Sequence, residues 1–334
     1  MTELLYLSTD DLRGLAEPSE FVEAVRDGYR QIGEGAPAEP RTALHAEDPS
    51  GMLTSYVAIL PDTGAMGGYT YSAGFGAGDA FFLTPLFDAR SGEPLAVLDG
   101  AWFNPFKTGA TGAVGLDALA RDDAERLALI GSGRQARGQL VAAATVRDWN
   151  TVTVFSPTRS HRESFAAEFD AELEADVRAA ESAAAAIADV HAVITATRSS
   201  NPVFDGDDLP DGAHVTAIGQ YHPERRELDE GTVARATYVP DLRARVTRDA
   251  GSFIQALDAG AIDENHVHAE LGEVLNGTAS GRTGAEEVTV FDSGGTAIET
   301  VAAAKVLYDR AVERNRGTPI DISPGSEAMP GGFD

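Results

Sequence analysis

Cysteine is absent from the 334 residues, which removes disulfides, thiolate nucleophiles and cysteine-ligated metals from consideration. Lysine is almost absent: of 26 basic residues only Lys107 and Lys305 are lysines, and the rest are arginines. No apolar run approaches the roughly 18 residues of a membrane span. The opening stretch, MTELLYLSTDDLRGL, lacks a basic region followed by an apolar core, so no targeting peptide is read there and a soluble, cytoplasmic protein is expected. Basic charge is also short relative to acidic, 26 residues against 53, for a formal net charge of −27. Such a surface repels nucleic acid and anionic membranes, whose recognition depends on basic patches. The carboxylates are spread along the chain and not gathered in a tail. An evenly acidic, lysine-poor surface fits a protein adapted to concentrated salt, where screening suppresses self-repulsion.

The stretch around which the chain is organised is Arg126 to Leu140, RLALIGSGRQARGQL. A short apolar run, Leu127 to Ile130, meets Gly131-Ser132-Gly133-Arg134-Gln135-Ala136, and a segment of helical composition follows. This is the strand, Gly-x-Gly-x-x-Ala turn and helix of a dinucleotide-binding unit. The first glycine permits the tight turn, the second lets backbone approach a pyrophosphate, and the small third residue lets helix and strand pack closely. The unpaired amides and positive dipole of the helix start then face the anion. A second strand-like run, Thr151 to Phe155, follows one helix later, and a third, Val190 to Thr195, comes after an alanine-rich stretch.

Elsewhere, residues 8 to 32 read as one helix capped by Ser8 or Thr9, with Phe21, Val22, Val25 and Tyr29 at helical spacing. Between Arg41 and Val97 strand-like pieces appear at Met52–Leu60, Gly68–Ser72, Phe81–Phe87 and Leu95–Leu98. The turn signals Pro61-Asp62-Thr63-Gly64 and Asp88-Ala89-Arg90-Ser91-Gly92 separate them, which describes a second, largely antiparallel sheet. A small-residue helix over Thr108 to Ala120 leads into the dinucleotide unit. Further strands are expected at His214–Ile218, Thr237–Val239 and Val288–Phe291, then a long helix over Ala297 to Asn315 and a loose tail from Gly317.

Several of these stretches together are similar to one family. Asp99-Gly100 with Lys107-Thr108-Gly109-Ala110 resembles a signature of the ornithine cyclodeaminase, mu-crystallin and archaeal alanine dehydrogenase family. LIGSGRQARGQL resembles its cofactor turn. AIGQYHPERRELD (Ala217 to Asp229), HAELGEVLNG (His268 to Gly277) and VFDSGGTAI (Val290 to Ile298) also fit, so the resemblance covers nearly the whole chain. It implies an α/β protein with a Rossmann-type doubly wound parallel sheet over 116–295. A smaller α+β substrate-binding and dimerisation domain would be made of 1–115 with 296–334. It also implies a nicotinamide cofactor and chemistry at the α C–N bond of an amino or imino acid. Other branches of the family cyclise ornithine or serve as small-ligand-binding proteins.

Oxidation or reduction at such a carbon needs a cation for the carboxylate, a proton donor or acceptor for the nitrogen, and a hydride partner beside the carbon. Arg41, in Glu-Pro-Arg-Thr, matches the family's carboxylate-binding arginine, and Lys107 stands where a second arginine is usual. Two positions depart from the pattern. Tyr69, after Met66-Gly67-Gly68, occupies the place of the family's catalytic lysine, and Tyr221 that of its aspartate. Tyr69 is either an acid toward an imine or a packing aromatic. His222, beside Tyr221, is a side chain type able to shuttle protons. For the cofactor, the residues expected to line the pocket are Gly131, Ser132, Gly133, Arg134, Gln135 and Ala136, then Thr195, Ala196, Thr197, Ile218 and Gly219. After the second strand the chain reads Phe155-Ser156-Pro157-Thr158-Arg159-Ser160, without the acid that binds the ribose hydroxyls of NAD. Ser156, Thr158, Arg159 and Ser160 suit a 2′-phosphate, so NADP is expected over NAD. Asp263, His266, His268 and Glu270 lie close in sequence, but read better as a cap and a solvated turn than as metal ligands.

The expectation is therefore a dimeric oxidoreductase using NADP, or NAD, on a small amino or imino acid, with neither nucleic acid nor membrane as partner. An ornithine cyclodeaminase with altered catalytic residues and a non-catalytic cofactor-dependent ligand-binding protein are the alternatives.

Overall fold

The computed structural model describes residues 2–326. The chain divides into two compact units. One comprises the residues up to 28, 36–104 and those from 296 onward; the other comprises 29–35 and 105–295. The passage from one to the other thus falls inside the helix Gly100–Leu119, earlier than the 115/116 expected from sequence. Among the described residues no helix is long and apolar enough to cross a membrane.

In the first unit the strands are β1 (Thr2–Leu7), β2 (Thr42–Glu47), β3 (Ser50–Leu60), β4 (Ala65–Gly74), β5 (Asp79–Asp88) and β6 (Pro94–Asp99). With Thr318–Ile322 they form a seven-stranded sheet in the order Thr318–Ile322, β1, β6, β5, β4, β3, β2. Only β1 and β6 pair in parallel. Period-two alternation gives the sheet two unlike faces. Along β3, Tyr56, Ala58 and Leu60 are buried while Leu53, Val57 and Ile59 are exposed. The buried face is covered by the helix Ala297–Glu313, whose Ile298, Val301, Ala302 and Leu307 point into the core. Thr296 starts that helix with a capping box closed by Glu299. The two foreseen turns form as the sequence implies: the N–H of Gly64 donates to Pro61 O at 3.1 Å and that of Gly92 to Asp88 O at 3.0 Å.

Three expectations are corrected here. The single helix over 8–32 is two: Thr9–Leu12, capped by Ser8, and Pro18–Gly33. Gly14, at φ +68°, and Pro18, which cannot donate an N–H, break it. The tail from Gly317 is not loose throughout, because Thr318–Ile322 adds to β1 in an antiparallel register from Tyr6↔Thr318 to Thr2↔Ile322. Its final residues, 327–334, lie outside the described residues. The small-residue helix begins at Gly100 rather than Thr108 and carries Pro105 within it.

In the second unit the strands are β7 (Arg126–Ile130), β8 (Thr151–Phe155), β9 (Asp176–Ala179), β10 (Ala192–Thr195), β11 (His214–Ala217), β12 (Ala236–Pro240) and β13 (Val288–Asp292). They form a wholly parallel sheet in the order β12-β13-β11-β10-β7-β8-β9. The order reverses beside β7, which is the doubly wound arrangement with its switch point between β7 and β10. Both faces are covered: Leu127, Leu129, Ala192 and Ile194 join one core, and Ala128, Ile130 and Val193 join the other. The strand β9, absent from the sequence reading, buries fully only Val177 and so leaves no hydrophobic run to detect.

Beyond β12 and β13 a buried charge cluster fixes the sheet's edge. Arg245, 1% exposed, donates to Asp241 Oδ1 at 2.7 Å, to Asp249 Oδ1 at 2.7 Å and to both the carboxylate and the backbone carbonyl of Asp292. At the opposite ends of the strands, the ring of the fully buried His214 lies 2.9 Å from Thr289 Oγ1 and 2.8 Å from Thr216 Oγ1. Burial is the main cause that pushes its pKa down to about 3, so the ring is neutral.

Candidate active site

The glycine turn sits at the carboxyl end of β7, at the switch point. Gly131 adopts φ +125°, and a Cβ there would lie 2.5 Å from Ala196 O, so only glycine fits. Gly133 is open where its side chain would be, with no atom within 4 Å of an added Cβ. It begins the helix Arg134–Val146, whose first turn has no side-chain cap. The glycine N-cap thus puts no side-chain acceptor over the amides of that turn, the type of donor a pyrophosphate needs. Ala136 is fully buried, as the third small position requires. Ser132 Oγ donates to Ser156 Oγ at 2.9 Å, and the Gly131 N–H donates to Phe155 O at 2.8 Å, so the turn is fastened to the end of β8.

The residues expected to hold a 2′-phosphate at the end of β8 differ in exposure. Ser156 is buried, whereas Thr158, Arg159 and Ser160 are exposed. Arg159 Nε donates to Glu163 Oε1 at 2.7 Å, which occupies one edge of its guanidinium. Arg162, which sequence reasoning missed, donates to Ser156 O at 2.9 Å and lies 5.6 Å from the Phe155 ring centroid. Arginine spacing on the helix Arg159–Glu172 could have pointed to it.

Across the switch point, Thr195, Ala196, Thr197, Ile218 and Gly219 gather at the ends of β10 and β11. What unites them is Glu227, also missed from sequence although it lies within the Arg225 to Asp229 block. Glu227 Oε1 accepts the Thr197 N–H at 2.7 Å, and its Oε2 accepts the Gly219 N–H at 2.7 Å and the Thr195 hydroxyl at 2.9 Å. The carboxyl is 2% exposed, and burial pushes its pKa up to about 7 against the opposing pull of those donors.

Lys107 is 2% exposed on the helix Gly100–Leu119. Its surroundings explain the Lys107-Thr108-Gly109-Ala110 stretch. A Cβ on Gly109 would lie 2.2 Å from Gly138 O and one on Gly138 2.2 Å from Pro105 O, so this helix crosses the helix Arg134–Val146 backbone against backbone. Gln139 Nε2 donates to Thr108 O at 2.8 Å across the same crossing. Lys107 is thereby held in fixed register with the glycine turn. Tyr221 is 42% exposed on the loop after β11. His222 Nδ1 accepts the Glu224 N–H at 3.2 Å. Among the described residues no three potential ligands come together for a metal: His266 Nε2 faces Val233 O at 2.7 Å and His268 Nε2 faces Ser280 O at 2.9 Å.

The remaining candidates belong to the first unit. The Arg41 guanidinium stands 5.7 Å from the Tyr56 ring centroid. Tyr69, on β4, is 1% exposed and packs against Tyr56, Tyr71 and Phe82 at centroid distances of 5.5, 5.7 and 5.4 Å. Its hydroxyl accepts a hydrogen bond from Asn104 Nδ2 at 2.6 Å and lies 3.5 Å from Gly100 O. Burial pushes this hydroxyl far above the ordinary tyrosine range, with the Asn104 donor pulling the other way. A Cβ on Gly100 would fall 2.6 Å from Tyr69 Cε2, which accounts for the glycine of the Asp99-Gly100 pair. Asp99 in turn accepts from Thr9 Oγ1 at 2.7 Å and from the Ala101 N–H at 3.1 Å, anchoring the helix start. Tyr56, Asn104 and Glu299 were not singled out in sequence. Glu299 is fully buried in its capping box and adds a second charge near Tyr56.

A doubly wound parallel sheet with an open glycine turn at its switch point defines a Rossmann-type dinucleotide-binding fold, here in a chain with a second α+β unit. The sequence profile of the Ornithine cyclodeaminase/mu-crystallin family matches residues 5–315, and the chain belongs to that family. It is similar to a Delta(1)-pyrroline-2-carboxylate reductase of Bacillus cereus, 30% identical over 96% of this chain and 100% of that one. Among solved structures it resembles the Thermococcus litoralis Delta(1)-pyrroline-2-carboxylate reductase in complex with NADH and L-proline, at 32% identity and TM-score 0.89, covering 94% of this chain and 99% of that one. It also resembles an archaeal alanine dehydrogenase dimer with bound NAD, at 30% identity and TM-score 0.89 over 96% and 100% of the two chains.

Proposed function

We propose that the protein is a nicotinamide-dependent oxidoreductase acting on the α C–N bond of an amino or imino acid, working as a reductase of a linear or cyclic ketimine. The observation that carries this reading is the open glycine turn: Gly131 closed against Ala196, empty space over Gly133, and an uncapped helix start. The cofactor, when bound, supplies the hydride that reduces the imine carbon. The protein's part is to hold both reactants and to manage the proton at nitrogen. Gly131 to Ala136 would cradle the pyrophosphate, and Thr195 to Thr197 with Ile218 and Gly219 would border the nicotinamide. Arg41 and Lys107 are assigned to the substrate carboxylate; the lysine is a point charge without the bidentate fork of an arginine. Tyr69 is assigned a neutral hydrogen-bond donor's role, since burial disfavours release of its proton. Proton exchange with the imine nitrogen falls to His222, with Tyr221 beside it.

NADP is proposed over NAD, because the end of β8 offers Ser156 and the nearby Arg159 and Arg162, with no carboxylate in 156–162. The unit built of β1 to β6 is proposed to bind substrate and to pair with a second copy. One face of that sheet exposes Leu44, Leu53, Val57, Ile59, Phe81 and Leu83, which register across β2 to β5 in adjoining rows. A Phe81→Arg, Leu83→Glu variant should then elute and scatter as a monomer; an unchanged mass would remove this face from the assembly. The charge of −27 is read as adaptation to salt, expressed as activity that rises into molar KCl.

The deciding experiment is oxidation of NADPH and NADH in molar KCl with Δ1-pyrroline-2-carboxylate, six-membered cyclic ketimines, and 2-oxo acids mixed with ammonia or methylamine. Turnover on any of them is expected. Tight cofactor binding with no turnover across the panel would replace the enzyme by a cofactor-dependent binding protein. Release of ammonia from ornithine without net cofactor oxidation would replace it by a cyclodeaminase.

A further inference from the structure

We propose that Glu227 is a positioning residue for the nicotinamide end of the cofactor pocket, its carboxylate joining the loops that leave β10 and β11 into one wall. This rests on the dinucleotide reading above. In a doubly wound sheet the two halves divide the ligand: the half that carries the glycine turn takes the adenosine side, here β7 to β9, and the half beyond the switch point takes the nicotinamide side. The loops after β10 and β11 are therefore the ones that face the reacting ring. The ladder runs one residue past each strand, the Ala196 N–H donating to Ile130 O at 2.9 Å and the Ile218 N–H to Thr195 O at 3.0 Å, and from Thr197 and Gly219 onward the spacing of the loops needs another source.

Glu227 provides it. The Thr197 N–H donates to one oxygen at 2.7 Å, while the Gly219 N–H, at 2.7 Å, and the Thr195 hydroxyl, at 2.9 Å, donate to the other. Gln220 Nε2 adds a second strap by donating to Thr197 O at 3.0 Å. The fit around the carboxylate is close: a Cβ on Gly219 would lie 2.4 Å from both Glu227 Oε1 and Thr197 O. A glycine is thus demanded at this point by the carboxylate rather than by a positive φ, since Gly219 is not among the glycines in the left-handed region. All three donors converging on Glu227 are neutral, and above pH 7, where the group is ionised, it accepts from all of them while offering no donor of its own. An amide in its place would turn its NH2 toward the N–H of either Thr197 or Gly219 and so would release one loop from the other.

The proposal separates the two ends of the ligand. Glu227→Gln should weaken binding of the reduced cofactor that wild type prefers by about tenfold, the loss expected for one charge-assisted hydrogen bond. Binding of the matching fragment without nicotinamide, ADP-ribose or its 2′-phosphate, should stay within about twofold. Affinities would be read by nicotinamide fluorescence for the reduced cofactor and by calorimetry for the fragment. Equal weakening of both ligands, or of neither, overturns the positioning role. If Glu227→Gln fails to fold, Thr195→Val removes only the hydroxyl donor at nearly constant volume. It should then weaken the reduced cofactor about threefold and spare the fragment, and a ratio equal to that of wild type overturns the proposal. Wild-type protein that binds the fragment but neither NADH nor NADPH overturns the nicotinamide reading itself, and the assignment of Glu227 with it.

Discussion

Two buried groups of the dinucleotide-binding unit should titrate against each other, and single substitutions should expose the effect. His214 has a pKa pushed down to about 3 from an ordinary 6.5, chiefly by burial. The unfolded chain therefore takes up a proton first as the solution is acidified. Its contribution to stability is present above pH 6.5 and is lost as pH falls toward 3, at about 1.4 kcal/mol per pH unit. Glu227 is displaced the other way, to about 7 from 4.5, again chiefly by burial. Its contribution is present below pH 4.5 and is lost as pH rises through 7, with the same slope. Between pH 4.5 and 6.5 the two slopes oppose, so in wild type they nearly cancel. The assay is urea unfolding of wild type, His214→Gln and Glu227→Gln at half-unit steps across that window in one salt. Relative to His214→Gln, wild type should lose about 2 kcal/mol on going from pH 6.5 to 4.5; relative to Glu227→Gln it should gain about the same. A difference that does not vary with pH, for either pair, would refute the assignment of that group as buried and displaced in the stated sense.

Three further outcomes are expected. Gly131→Ala, which forces a side chain into φ +125° and against Ala196 O, should weaken cofactor binding at least tenfold by fluorescence titration and cost about 1–3 kcal/mol in urea unfolding; unchanged affinity would displace the turn from the pocket. Ser156→Asp supplies the carboxylate missing after β8 and should move the ratio of kcat/KM for NADPH over NADH toward NADH by roughly tenfold or more, through repulsion of a 2′-phosphate. A ratio that stays put would mean that the adenosine ribose lies elsewhere. Arg245→Met leaves Asp241, Asp249 and Asp292 without their shared cation and should destabilise by about 3–5 kcal/mol at neutral pH, with partial recovery on acidification as the stranded carboxylates protonate. A loss under 1 kcal/mol would show that the cluster contributes little.

What was legible in the sequence was whatever a local pattern can encode. The β7 to β8 unit was visible because an apolar run, two glycines and a helix lie within one short stretch. The turns at Gly64 and Gly92 were visible because their residue types prescribe their geometry. What stayed hidden depends on partners distant in sequence. Thr2–Leu7 is a strand because it lies between β6 and Thr318–Ile322, and Thr318–Ile322 because it finds β1; neither looks like one alone. Asp176–Ala179 is held by β8 and carries little apolar character of its own. Among the candidate residues, Gly131 and Lys107 could be singled out by type and place, but Glu227, Asn104 and Arg162 could not. A charged or amide residue inside a polar block looks solvated until the fold shows the donors that surround it.

The route of the chain through the first unit has a consequence for its synthesis. The sheet from β1 to β6 emerges from the ribosome early, but the helix that covers its buried face, Ala297–Glu313, and the strand that borders β1 are made only after all of 105–295. For that interval the nascent sheet carries two bare apolar faces and an unpaired margin, a state prone to sticking to other chains. The dinucleotide-binding unit takes its residues from before 296, so it is complete in sequence while the sheet still waits for its cover. A chaperone that shields β-rich surface should therefore matter more to this protein's yield than one that accelerates folding.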